Sequence, residues 1–123
     1  MEKVLGIGGV FFHGKDRAAL RAWYSENLGI TQTPTDYDSP CWETDSGPTV
    51  WEPFDEGTEY FGAASQQWMV NFRVRDLDAM MAQLKNNGVE VTFEMDAPNG
   101  RFARLTDPEG NPIQLWEPGG VAG

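Results

Sequence analysis

The chain holds 123 residues with 9 basic and 19 acidic side chains, a formal net charge of -10, and its 40% hydrophobic and 12% aromatic content belongs to a folding rather than a disordered chain. That length fits one domain able to bury a core. So negative a chain excludes nucleic acid and anionic membranes as partners, because phosphates demand a basic face. The lone cysteine, Cys41, cannot close an internal disulfide, so no oxidising compartment is required and a cytoplasmic location is expected.

In chain order, Val4 to Phe12 is an apolar stretch interrupted by glycines, without a small-residue cleavage site, running into His13-Gly14-Lys15-Asp16-Arg17. It reads as a strand and not as a signal peptide, and nothing else approaches transmembrane length. Asp16 is placed to cap a helix whose apolar stripe is Leu20, Trp23, Tyr24 and Leu28, with Gly29 just beyond its end. Three strands are then expected, Ile30 to Asp38, Cys41 to Asp45 and Thr49 to Phe54, separated by Ser39-Pro40 and Ser46-Gly47-Pro48. A linker rich in Gly, Ala, Ser and Gln follows at about 55–66.

The same order then returns. Val70 to Asp76 forms a strand ending in an N-cap; Leu77, Met80, Met81 and Leu84 stripe a second helix; Gly88 follows. Strands are expected at Val89 to Glu94, Arg101 to Thr106 and Ile113 to Glu117, with turns at Ala97-Pro98-Asn99-Gly100 and Asp107-Pro108-Glu109-Gly110-Asn111. Both trios end on one tripeptide, Trp51-Glu52-Pro53 and Trp116-Glu117-Pro118. The chain is thus an α+β domain of two tandem βαβββ half-units, about 4–54 and 67–118, whose curved mixed sheets surround a concave cup.

Charge divides the halves. Between Arg21 and Arg73 there is no Lys or Arg, yet that interval holds nine acids and ten of the fifteen aromatics, including Trp23, Trp42, Trp51 and Trp68. An acidic, aromatic wall suits a cationic or polarised ligand. A solvated acidic face over an aromatic core is the plainer alternative.

The Lys-Asp helix start, the Trp-Tyr…Leu-Gly helix end and the Asp-Pro-Glu-Gly-Asn turn resemble the vicinal oxygen chelate superfamily, from about Val4 to Pro118. That group includes glyoxalase I, bleomycin-resistance proteins, fosfomycin-resistance enzymes and extradiol dioxygenases, and one scaffold there hosts several chemistries and some pure binders. The resemblance implies four metal-ligand positions, which fall here on Gly9, Met69, Gln114 and a fourth at Thr49, Trp51 or Glu52. Glycine has no donor atom and a thioether is a poor one for hard or borderline divalent ions. No cofactor is therefore expected, with a divalent metal on Gln114 and Glu52 as the alternative. His13 reads as a rim histidine, and Cys41, with no basic neighbour to activate it, as a buried inert thiol.

Strand alternation places side chains. If Gly9 and Met69 face the cup, so do Phe11, Asn71 and Arg73, while Val70, Phe72 and Val74 face the helices. Gln114 and Trp116 join the cup, and by the repeat so do Thr49 and Trp51, while Glu52 turns away; Trp42 is added from the neighbouring strand. The candidate ligand-binding set is Phe11, Trp42, Thr49, Trp51, Met69, Asn71, Arg73, Gln114 and Trp116, and no catalytic residue is named. The function expected is metal-free binding of a small aromatic or cationic molecule by a homodimer, as in the bleomycin-resistance branch. The alternative is a glyoxalase-related, metal-dependent lyase or isomerase.

Overall fold

Both helices start where a short carboxylate meets a run of helix-forming residues. In the computed structural model, which describes residues 1–119, helix α1 (Arg17–Leu28) is capped by Asp16, whose Oδ1 accepts the Ala19 N–H at 3.1 Å. Helix α2 (Leu77–Asn86) repeats the device, with Asp76 accepting from Ala79 at 3.0 Å. Gly29 ends α1 in the left-handed conformation at φ +72°, where a Cβ would be strained.

The strands β1 (Val70–Arg73), β2 (Thr92–Ala97), β3 (Gly100–Thr106) and β4 (Pro112–Pro118) form a mixed sheet in the order β1-β4-β3-β2. β1 runs parallel to β4, and the other pairs are antiparallel. Phe72, Val74, Ala103, Leu105, Ile113 and Leu115 turn to one face, where they pack with Leu77 and Leu84 of α2 and Trp23, Tyr24 and Leu28 of α1. Asn71, Arg73, Gln114, Trp116, Phe102 and Arg104 alternate with them and take the opposite, open face. Gly100 opens β3 at φ +139°, and a Cβ there would collide with the Glu117 carbonyl and the Trp116 indole. Only glycine fits that hairpin corner.

The three sequence signatures meet at one place. Asp107, 3% exposed, accepts the Tyr24 hydroxyl of α1 at 2.7 Å, the Asn111 side-chain amide at 2.7 Å, and the Glu109 and Asn111 backbone N–H groups at 2.8 and 3.0 Å. The same turn sends the Glu109 carboxylate to the N–H groups of Lys15 and Asp16, at 2.7 and 2.9 Å. A second-half turn thereby holds the first-half helix by its start and its middle. At the other end of that helix, Asn27 joins α2 through Gln83 and Asn87, at 3.1 Å each.

The α+β architecture stands, but the two half-units differ in how far they are built. The second has all its elements. In the first, α1 forms, whereas 4–16 and 30–54 carry no strand pairing, and Val4, Phe11 and Val50 are exposed. Chemistry accounts for the contrast. Gly6, Gly8 and Gly9 weaken 4–12 as a strand, and Pro34 falls inside the expected Ile30 to Asp38 run, where it removes a ladder donor. In the second half, Pro98 and Pro108 sit outside strands, and Pro112 and Pro118 at the two ends of β4.

Candidate functional site

Register on the open face aligns polar residues into a row. Asn71 of β1 lies opposite Gln114 of β4, which lies opposite Arg104 of β3. Asn71 Nδ2 donates to Gln114 Oε1 at 2.7 Å. Gln114 Nε2 in turn donates to the Tyr60 hydroxyl at 2.7 Å and to Glu94 Oε1 at 2.9 Å. Tyr60 donates its proton to the same Glu94 oxygen at 2.7 Å, and Arg104 Nη1 stands 3.7 Å from the other. Burial, then the Glu94 hydrogen bond, raises the Tyr60 phenol above its ordinary pKa, with Arg104 opposing.

Glu94 reaches this row by alternation from Thr92, the partner of Arg104 on the open face. Phe93 pairs with Ala103 and Met95 with Phe102, leaving Glu94 as the extra residue of a bulge. Alternation along the expected Val89 to Glu94 strand carries Glu94 to this face, yet the sequence candidates omit it, and they omit Tyr60 because it lies in the segment read as linker.

The next row pairs Arg73 with Trp116 and Trp116 with Phe102. Phe102 and Trp116 stack with centroids 6.1 Å apart and planes 1° from parallel. The Trp116 N–H donates to the Asn99 carbonyl at 3.0 Å, and the indole is 7% exposed. Arg73 donates to the Asp45 carbonyl at 2.8 Å, so the 45–47 turn lies against its guanidinium. Of the sequence candidates, Asn71, Arg73, Gln114 and Trp116 therefore share one face, and Met69 is half-buried just before β1.

The first-half candidates fall elsewhere. Phe11 is 95% exposed beside Gly9. Trp51 is 75% exposed and meets Trp68, also largely exposed, with centroids 6.4 Å apart. Thr49 is exposed. Trp42 sets its edge against Phe72, 6.4 Å away, among the helix-side rings that include Tyr24, and not on the Gln114 face. Cys41 is exposed, which corrects the expectation of a buried thiol: the strand meant to enclose it is unpaired. His13 is exposed beside a shallow cavity it shares with Gly14, Lys15, Glu109 and Asn111.

Among the described residues no three His, Cys, Asp or Glu side chains converge on a common point. Gln114 spends its carbonyl on Asn71, and Glu52 is exposed on an unpaired segment. These residues do not fit a divalent ion.

Two helices on one side of a mixed sheet, with the other face open and lined by polar and aromatic side chains, define a protein of the glyoxalase/bleomycin-resistance fold. The glyoxalase-like domain family matches residues 9–116, and the chain belongs to that family. No curated protein matches it. Among solved structures, TnmS3, an antibiotic binding protein from Streptomyces sp. CB03234, is 24% identical with a TM-score of 0.55, covering 85% of this chain and 88% of its own. A glyoxalase/bleomycin resistance protein from the same organism is 24% identical over 84% of this chain and 92% of its own, with a TM-score of 0.52. A glyoxylase/bleomycin resistance protein/dioxygenase domain from Frankia sp. EAN1pec is 19% identical, covering 95% of this chain and 100% of its own, with a TM-score of 0.59. At such identities the likeness establishes the fold. Among the described residues no helix is long and apolar enough to cross a membrane.

Proposed function

We propose that this protein binds a small aromatic or cationic molecule on and beside the open sheet face, without a metal, as a homodimer. The observation that carries the reading is the Trp51–Trp68 pair. Two indoles with centroids 6.4 Å apart, 75% and 68% exposed, lie in an interval that holds nine acids and no Lys or Arg. Large apolar rings left facing water are unusual unless something covers them. A cation over an indole gains about 0.5–2 kcal/mol, and the surrounding acids would steer it inward. The neighbouring fold of an antibiotic binding protein supports the same class of function.

The metal-free part rests on the donor set, in which glycine, methionine and an already committed glutamine stand at the ligand positions. The homodimer rests on unmet pairing: β1 and β2 are sheet edges, while the apolar segment 4–12 has exposed side chains and no ladder partner. A second copy supplies the complement.

Tryptophan fluorescence titration with naphthalen-1-ylmethylammonium, acridinium and 2-naphthol tests the reading. At least one should quench saturably, and Trp51→Ala should abolish most of the quenching. Silence across the panel overturns the binder, and one tightly held divalent ion per chain overturns its metal-free form.

A further inference from the structure

We infer that Tyr60 is an internal ligand of the open face, filling a site that accepts an uncharged hydroxyarene. The inference rests on the small-molecule reading above and gives that site a chemical preference.

The Tyr60 hydroxyl is used on both sides. It donates to Glu94 Oε1 at 2.7 Å and accepts from Gln114 Nε2 at 2.7 Å. Its ring is held as a bound arene would be: Phe54 stacks on it at 5.8 Å and 18°, and the Arg104 guanidinium lies 4.6 Å from its centroid. Yet the segment that carries Tyr60 is otherwise self-contained. Its remaining hydrogen bonds among the described residues join Thr58 to Asp55, Tyr60 to Thr58, Gly62 to Glu59, and Gln66 to Ala63 and Trp68. One phenol thus ties about a dozen residues to the sheet by hydrogen bonding. A ligand offering the same group replaces those bonds one for one, so the exchange strands no buried polar atom.

The cradle also defines what it rejects. Glu94 requires a donor and the Gln114 amide an acceptor at the same atom, and a hydroxyl is the group that is both. An aryl ether has no proton for Glu94 Oε1 and leaves that oxygen with the Gln114 amide alone, and a phenolate sets two negative oxygens against each other. Sites built to hydrogen-bond a hydroxyl discriminate strongly against analogues lacking it.

Calorimetric titration with 2-naphthol and 2-methoxynaphthalene, on wild-type protein, Tyr60→Ala and Tyr60→Phe, tests the inference. If Tyr60 occupies the cradle about nine-tenths of the time, removing it raises the competent fraction from about a tenth to nearly one, and apparent affinity rises about tenfold. Tyr60→Ala should bind 2-naphthol about tenfold more tightly than wild type. Tyr60→Phe, which keeps the ring and protects the fold, should gain in the same direction. The methyl ether should bind both variants at least tenfold more weakly than 2-naphthol. Unchanged 2-naphthol affinity in both variants, or equal affinity for naphthol and ether, overturns the inference. If other arenes still quench wild-type tryptophan, the broader reading survives that result; silence of every arene on all three proteins overturns both.

Discussion

Tyr24→Phe removes one atom at the junction between the half-units. The lost hydroxyl donates to Asp107 Oδ2 at 2.7 Å, a hydrogen bond to a carboxylate that is 3% exposed. Hydrogen bonds to charged groups contribute about 1.5–3 kcal/mol. Asp107 keeps its bonds from the Asn111 amide and from two backbone N–H groups, so the low end applies, about 1.5–2 kcal/mol. Asp107→Ala removes all four bonds and strands the Tyr24 hydroxyl under the turn, so it should cost about 3 kcal/mol or more. The double variant has no stranded hydroxyl, and the cycle should return a coupling of about 1.5 kcal/mol or greater. Urea unfolding measures each corner, with the midpoint shifting at constant slope. Additivity within about 0.5 kcal/mol would mean the two groups act independently, and the account of the junction would fall.

Two further outcomes follow from burial. Burial first, and then the Asp107 hydrogen bond and charge, raises the Tyr24 pKa far above the ordinary phenol value of 10.0. Because the neutral phenol is the form the fold prefers, its contribution is complete below the unfolded pKa and declines as pH rises beyond about 10; Tyr24→Phe should flatten that decline in denaturation midpoints collected across alkaline pH. Leu84 is fully buried in the helix–sheet core, so Leu84→Ala should cost about 2–5 kcal/mol, whereas Phe11→Ala, at 95% exposure, should shift monomer unfolding by less than about 0.5 kcal/mol.

The parts of this fold that a sequence encodes locally were legible. Asp16 and Asp76 cap the helices because a short carboxylate before a helical run has little else to bond. Alternation sorted Asn71, Arg73, Gln114 and Trp116 from Phe72, Val74, Ile113 and Leu115 because strand period is fixed at 2. Illegible features were those that reach across the chain. Glu94 joins the open face by plain alternation from Thr92, but the group it binds there, Tyr60, arrives from a segment whose composition marks it as a loop. The expectation for Trp42 requires a strand register that its segment does not adopt. The repeat itself overstated symmetry, since matching tripeptides do not ensure matching ladders.

The second Trp-Glu-Pro shows why. Glu117 Oε1 accepts the Leu77 N–H at 2.8 Å, so this glutamate caps the start of its own half's helix. Were the duplication exact in structure, Glu52 would do the same for α1. It does not: its segment forms no ladder, and Glu109, from the other half, holds the Lys15 and Asp16 N–H groups just before the equivalent Arg17. Glu52 is left exposed, with its acidic neighbours, in the interval that carries no cation. The first helix is therefore clamped at its start from the other half of the chain. Released from capping, the first half's acids are free to shape the field around Trp51 and Trp68. The Tyr60 cradle lies on the sheet itself. In the proposed binder, charge at the rim governs approach, and the hydroxyl-matching row at Gln114 governs which molecule stays.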